Sequence, residues 1–163
     1  MDAIDFLSGQ HDLIEEHLAT AMRSSGTERR AAFEKAADLL LAHMTVEEEI
    51  FFPAVRAEKT ETKLLENLQE HLSLKRFVVD MLSLDPDDKV FEAKLRVVSE
   101  QSDHHHDEEE KDLFPVVKKQ VSEERRIELG RAMVSREAAI LAEGSPRKLA
   151  VGHTDKAPRL SVP

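Results

Sequence analysis

The chain has 163 residues, a length that suits one domain with a single well-filled core. Hydrophobic residues make up 40% of it and charged residues 34%, a balance typical of amphipathic helices. The absence of cysteine excludes disulfides, thiolate zinc sites and cysteine-bound iron–sulfur clusters, and the net charge of -10 argues against nucleic acid as a partner. Because no apolar stretch could span a membrane and the acidic N-terminus does not resemble a signal peptide, we expect a cytoplasmic protein without a membrane partner.

A hydrophobic period of 3.6 residues predicts five helices along the chain. They cover approximately residues 4–22, 28–58, 62–84, 88–120 and 122–144. Four long helices with short connections indicate an all-α fold, an up-down-up-down four-helix bundle with an additional C-terminal helix. The bundle domain would cover residues 1–143. Residues 144–163 have no apolar period and are expected to form a flexible tail.

Each of the first four helices has one histidine in the middle of its apolar stripe. These histidines are His11, His43, His71 and His105. The second and fourth stripes add Glu47 and Glu109, each four residues after the histidine. Burying a carboxylate without a partner costs several kcal/mol, so a core glutamate needs compensation. A metal cluster at the centre of the bundle would satisfy all six side chains.

The pattern His-x-x-x-Glu occurs twice, followed each time by Phe-Pro. The first copy comprises His43, Glu47, Phe52 and Pro53, and the second lies 62 residues later at His105, Glu109, Phe114 and Pro115. His11 and His71 precede the two copies by 32 and 34 residues. This repeat predicts two similar helical hairpins, which could place two metal ions side by side about a pseudo-twofold axis.

The spacing within each copy suits metal binding, because residues four apart share one face of a helix. Imidazole and carboxylate together suit iron, manganese or zinc. Residues 104–106 are all histidines and residues 108–110 are all glutamates, so several His-x-x-x-Glu pairs overlap here. The 62-residue offset from the first copy selects His105 and Glu109, and His104 and His106 are therefore interpreted as flanking or solvated. The neighbouring glutamates are interpreted as surface carboxylates, although Glu48 could assist the site.

Each proline lies six residues after its glutamate, where it would kink or loosen the helix. An uninterrupted 3.6-residue period would nevertheless continue the buried stripes past the glutamates. The expected continuations are Ile50 and Ala54 in the second helix, and Asp112 and Val116 in the fourth.

The set His11, His43-x-x-x-Glu47, His71 and His105-x-x-x-Glu109 resembles the hemerythrin-like (HHE cation-binding) domain over about residues 4–120. The resemblance implies a non-haem centre of two iron ions, bridged by an oxo group, Glu47 and Glu109. It implies no catalytic residue beyond these metal ligands. One iron would take His11 and His43, or their pseudo-symmetric partners, and the other His71 and His105. The sequence leaves this pairing open.

The oxygen-carrying hemerythrins of invertebrates have a further histidine in the third helix. Here the residues one turn from His71 are Asn67 and Lys75, and Lys75 is expected to extend to solvent. Four imidazoles instead of five make the chain more similar to the bacterial single-domain relatives that are associated with peroxide or nitric oxide handling.

The leading hypothesis is a non-haem di-iron protein that reacts with or binds hydrogen peroxide, dioxygen or nitric oxide. The activity expected first is catalase-like peroxide disproportionation in oxidative or nitrosative stress. The alternatives are an oxygen or iron sensor or storage module that acts through a partner, a zinc protein, and a metal-free bundle. A ferritin-type site is disfavoured because no histidine has a glutamate three residues before it. Both a monomer and a homodimer are compatible with the sequence.

Overall fold

The computed structural model describes residues 1–160; residues 161–163, the end of the predicted tail, lie outside the described residues. Helices α1 (Ala3–Arg23), α3 (Glu61–Met81) and α5 (Glu123–Glu143) are regular. Helix α2 has three parts, Gly26–Val46, a π-helical turn Glu47–Phe51, and Phe52–Val55. Helix α4 repeats this design as Lys89–Glu108, a π-helical turn Glu109–Leu113, and Phe114–Gln120. A short α6 (Pro146–Leu149) continues as a 3-10 turn, Ala150–Gly152.

The helix starts follow from local chemistry, since side chains cap the free N–H groups of the first turn. Asp2 accepts a hydrogen bond from the Ile4 N–H at 2.9 Å, and Asp88 accepts one from the Val90 N–H at 2.7 Å. The expected all-α fold class is confirmed. Within residues 1–160 there is no β-strand, and none of the helices there combines the length and apolarity of a membrane span.

The core consists of two apolar clusters stacked along the bundle. The first cluster contains, from α1 to α4, Leu7, Phe51, Leu68 and Leu113. The second contains, in the same order, Ile14, Leu40, Leu74 and Val98. The first cluster therefore precedes the histidine in α1 and α3 and follows it in α2 and α4, as an up-down-up-down bundle requires. The six predicted metal ligands lie in a polar layer between the two clusters.

A π-helical turn begins at each of the two core glutamates. The Phe52 N–H donates to the Glu47 carbonyl and the Phe114 N–H to the Glu109 carbonyl, five residues back in each case. Pro53 and Pro115, which lack an N–H, come immediately afterwards. The helices are thus loosened over the turn that begins at each glutamate, just before the prolines.

The π turns move the centre of the buried stripes away from the expected continuations. Ile50 and Ala54 are only partly buried and pack against the first cluster, and Val116 is half-buried. Each π turn contains one extra residue, which rotates the residues that follow it by about 100° around the helix. The residues buried in place of the predicted ones are Phe51, Phe52 and Val55 in α2, and Leu113, Phe114 and Val117 in α4. Asp112, predicted to lie in the core, is exposed.

The C-terminal segment, residues 145–160, lies against the bundle. Arg147 donates to the carboxylates of Glu34 (2.9 Å) and Asp38 on α2. Ala150 is buried in the second cluster, and Arg76 of α3 donates to two backbone carbonyls of the segment. These contacts are mostly polar, so a search for an apolar period does not reveal them. Flexibility of the segment stays a prediction.

Candidate metal centre

The six predicted ligands converge in the polar layer, and all of them are buried. Their ligand atoms form two overlapping groups, each with members within 4.8 Å of one another. One group is His11, His43, Glu47 and Glu109, and the other is Glu47, His71 and His105. The structure therefore pairs His11 with His43 on the first side of the centre, and His71 with His105 on the second side.

The two carboxylates lie between the two sides. Glu47 Oε2 is 3.2 Å from His43 Nε2 and 3.3 Å from His71 Nε2. Glu109 Oε2 is 3.4 Å from His11 Nε2, and Glu109 Oε1 is 3.8 Å from His105 Nε2. Each glutamate thus faces one histidine from each hairpin, an arrangement suited to a carboxylate shared between two cations.

Each of the four histidines has its outer ring nitrogen, Nδ1, beside an oxygen acceptor. The acceptors are Glu110 for His11 (2.8 Å), Gln10 for His43 (2.9 Å), Glu48 for His71 (2.9 Å) and Glu70 for His105 (2.6 Å). A proton on Nδ1 leaves the lone pair on Nε2, which is the nitrogen that faces the centre. The four oxygens therefore fix both the tautomer and the direction of the rings.

Lys75 does not extend to solvent as expected. It is 7% exposed, and its Nζ lies 2.7 and 2.8 Å from the two carboxylate oxygens of Glu48. Glu48, which the sequence left open as an assisting residue, connects this ammonium to His71. A nearly buried carboxylate needs a counter-charge, so it holds the lysine inside. Asn67, one turn before His71, donates to Glu109 Oε1 at 2.7 Å.

The electrostatics of the layer favour a cation. Burial, together with the negative charge of Glu109, raises the pKa of Glu47 well above its usual value. Burial alone would also raise the pKa of Glu109, but His105 and His11 lower it to about 2. Burial lowers the pKa of His43 well below its usual value, so its imidazole is held neutral. Two buried carboxylates repel each other when both are ionised, and a bound cation would relieve that repulsion.

Buried polar atoms that make no hydrogen bond are a further reason why these residues fit a metal. Several buried side-chain atoms lack a hydrogen-bond partner within residues 1–160. Those in the ligand set are His11 Nε2, His43 Nε2, both carboxylate oxygens of Glu47, and Glu109 Oε2. An unpaired buried polar atom costs about 1–3 kcal/mol. Cations between these atoms would serve as a partner for all of them.

Residues 2–117 match the family model of the hemerythrin HHE cation-binding domain. The chain belongs to this family. The match includes all six converging residues, whereas α5 and the C-terminal segment lie outside it. No curated protein and no solved structure matches the chain.

This hemerythrin domain contains a fifth buried histidine, His106, for which the predicted solvated position is wrong. His106 is 1% exposed, and its ring stacks on that of His11 with centroids 4.0 Å apart. Burial lowers the pKa of His106 to about 4, although the nearby Glu15 carboxylate opposes this shift. The solvated interpretation holds only for His104, whose side chain is 69% exposed and pairs with Glu108 at 3.1 Å.

The signal for His106 was present in the helical period. Val98, the buried Ser102 and His106 are spaced four residues apart on α4. A stripe that buries three or four residues in two turns would include both His105 and His106. The narrower stripe through Val98, His105 and Glu109 left His106 out.

A cavity of about 950 Å³ lies outside the Glu48–Lys75 pair of the hemerythrin domain. Its walls come from α2, α3, α5 and the C-terminal segment, including Arg136, Leu149 and Arg159. The Glu48–Lys75 pair forms part of the wall nearest the centre, so this cavity borders the second side.

Proposed function

We propose that this hemerythrin-domain protein holds two iron ions and disproportionates hydrogen peroxide. His11 and His43 would hold one ion, and His71 and His105 the other. Glu47 and Glu109 would be shared by both ions. The observation that carries the proposal is the position of each carboxylate, which faces a histidine from each hairpin at 3.2–3.8 Å.

Iron is preferred over zinc because of the number of donors. Two imidazoles and two shared carboxylates offer four protein donors to each ion. Four donors would complete a tetrahedral zinc site and leave no position for a substrate. An ion that favours six ligands keeps positions for a small molecule, which redox chemistry needs. Metal analysis of the purified protein tests this preference.

The proposed reaction converts two molecules of hydrogen peroxide into two of water and one of dioxygen. One peroxide takes up two electrons and two protons, and the other releases the same number. A pair of irons can supply and take back two electrons by alternating between the diferrous and diferric states. The protein keeps the donors oriented through the oxygens on each histidine Nδ1, and the two apolar clusters limit the access of water.

The surroundings of His71 favour peroxide turnover rather than reversible oxygen carriage. Asn67 donates to Glu109 and Lys75 donates to Glu48, so each of these side chains already has a partner. Neither supplies a fifth imidazole to the second side. Both ions would therefore keep positions open to an exogenous ligand.

Oxygen release from hydrogen peroxide by the iron-loaded protein tests the proposal. We expect about two irons per chain, an absorption spectrum of a diferric pair, and half a mole of dioxygen per mole of peroxide. The Glu47→Ala variant should lose the iron and the activity together. A wild-type protein that carries two irons and releases no dioxygen would contradict the peroxide assignment and leave the metal assignment intact.

An iron-dependent sensor is the second candidate, and the polar layer favours it. The layer separates two apolar clusters and contains buried atoms that have no partner within residues 1–160. Iron would therefore control the order of the bundle. A large loss of helical circular dichroism on iron removal, without peroxide turnover by the loaded protein, would favour this role.

A further inference from the structure

His106 is a buried histidine that the proposed ligand set does not use. Neither of its ring nitrogens has a hydrogen-bond partner in the described chain. Nδ1 lies 3.5 Å from Oε1 of the half-exposed Glu15, so Nε2 is the nitrogen turned toward the interior. Buried polar groups are normally satisfied, and departures from this rule concentrate at functional sites.

The position of His106 assigns it to the first side of the centre. His106, His11 and His43 form a group whose ligand atoms lie within 4.8 Å of one another. The ring of His106 is parallel to that of His11 within 6° and meets that of His43 edge-on, with centroids 5.5 Å apart. The group contains neither glutamate, so His106 flanks the histidine pair and not the shared carboxylates.

Stacking prevents His106 from binding the same ion as His11 in this arrangement. An ion on His11 Nε2 lies near the plane of that ring, whereas a parallel ring stays about 3.5 Å away from the plane. A metal–imidazole bond is only about 2.1 Å long. His106 is thus too far away to coordinate the ion. It is close enough to hydrogen-bond a small molecule that occupies an open position on the ion.

We propose that His106 is the hydrogen-bonding neighbour of the exogenous ligand, and that the ligand binds to the ion held by His11 and His43. This inference rests on the proposed metal pair. The ligand class is a small oxygen- or nitrogen-terminated molecule, such as peroxide or the azide anion. On the second side the neighbouring polar side chains already have partners, since Lys75 donates to Glu48 and Asn67 donates to Glu109.

Azide titration of the iron-loaded protein, followed by absorption spectroscopy, tests the role of His106. The His106→Leu variant should keep the wild-type iron content and bind azide at least tenfold more weakly. Such a loss matches one hydrogen bond to a charged ligand. The matched control is His104→Leu, an exposed position two residues away, which should bind azide as the wild type does. Circular dichroism confirms that each variant is folded.

A measurement on the wild type keeps the proposal testable if His106→Leu does not fold. The vibrational frequencies of bound azide should differ between light and heavy water, because a hydrogen bond carries an exchangeable proton. An unchanged spectrum, or an unchanged azide affinity in a folded His106→Leu, would overturn the proposal. Loss of one iron in that variant would make His106 a ligand instead. Absence of peroxide turnover in the wild type would affect only the proposed activity, because azide binding does not depend on it.

Discussion

The two sides of the candidate metal centre have the same types of candidate ligand and different surroundings. On each side two histidines face the shared glutamates, as the duplicated pattern requires. On the second side both outer nitrogens meet carboxylates, and Lys75 neutralises one of these. On the first side His11 meets the carboxylate of Glu110, whereas His43 meets the neutral amide of Gln10. His106, whose ring nitrogens make no hydrogen bond in the described chain, lies beside His11.

This difference shows that an internal repeat can duplicate the candidate metal donors without duplicating the residues that surround them. A charged and fully paired environment holds the second side in place. The first side has one neutral partner, Gln10, and an additional imidazole, His106, whose nitrogens are available to hydrogen-bond an incoming molecule. We therefore expect the second side to contribute more to stability and the first side more to ligand binding.

The largest expected effect is that of removing the carboxylate common to both sides. Glu47→Ala should reduce the iron content from about two per chain to fewer than one, because Glu47 Oε2 lies within 3.3 Å of a histidine on each side. Glu49→Ala is the matched control. This residue is exposed and pairs with Arg136 at 2.6 Å. Retention of one full iron by Glu47→Ala would mean that the two sides bind independently.

Breaking the ion pair on the second side should destabilise the protein. Lys75→Met leaves Glu48 nearly buried without its counter-charge, at an expected cost of about 2–3 kcal/mol in the free energy of unfolding. Lys94→Met, which removes the more exposed pair with Asp80, should cost less than about 1 kcal/mol. Urea unfolding of the iron-loaded proteins measures both values. The double variant Glu48→Gln/Lys75→Met should recover part of the loss, and equal costs for the two lysine variants would contradict the structural role of Lys75.

On the first side, the outer contact of His43 should influence how firmly iron is held. Gln10→Leu removes the oxygen 2.9 Å from His43 Nδ1. Loss of such an orienting contact typically weakens metal binding about 10- to 100-fold, and we expect the low end because the amide is neutral. Iron transfer to a chelator measures the effect. Gln101→Leu, which removes a contact with Ser73 away from the centre, is the control and should release iron at the wild-type rate.

The smallest expected effect on iron is that of truncation after Glu143. The removed segment contributes none of the six converging side chains, so iron content and spectrum should not change. Stability should fall by about 1–2 kcal/mol, because the carboxylates of Glu34 and Asp38 on α2 lose their partner Arg147. Arg147→Ala should reproduce most of this loss. A truncated protein that binds no iron would show that the segment closes the centre.

The sequence predicted the helices and the six converging residues for a clear physical reason. Helical period and a 62-residue repeat are one-dimensional signals, and a buried histidine or glutamate stands out in an apolar stripe. His43 and Glu47 could be placed on one face because their spacing alone determines it. The family match over residues 2–117 confirms the resemblance that these residues suggested.

The sequence did not predict features that depend on contacts between helices. The packing of the hairpins decides which histidines lie on the same side of the centre. The pairing of Lys75 with Glu48 likewise depends on packing, because it joins α3 to the π turn of α2. The burial of His106 depends on α1 lying against α4, where His11 can stack on it. The π turns shift the buried face by one residue, which no uninterrupted period anticipates. Local spacing along a helix determines which side chains can face the core, and only the packing of the helices decides which partners they meet there.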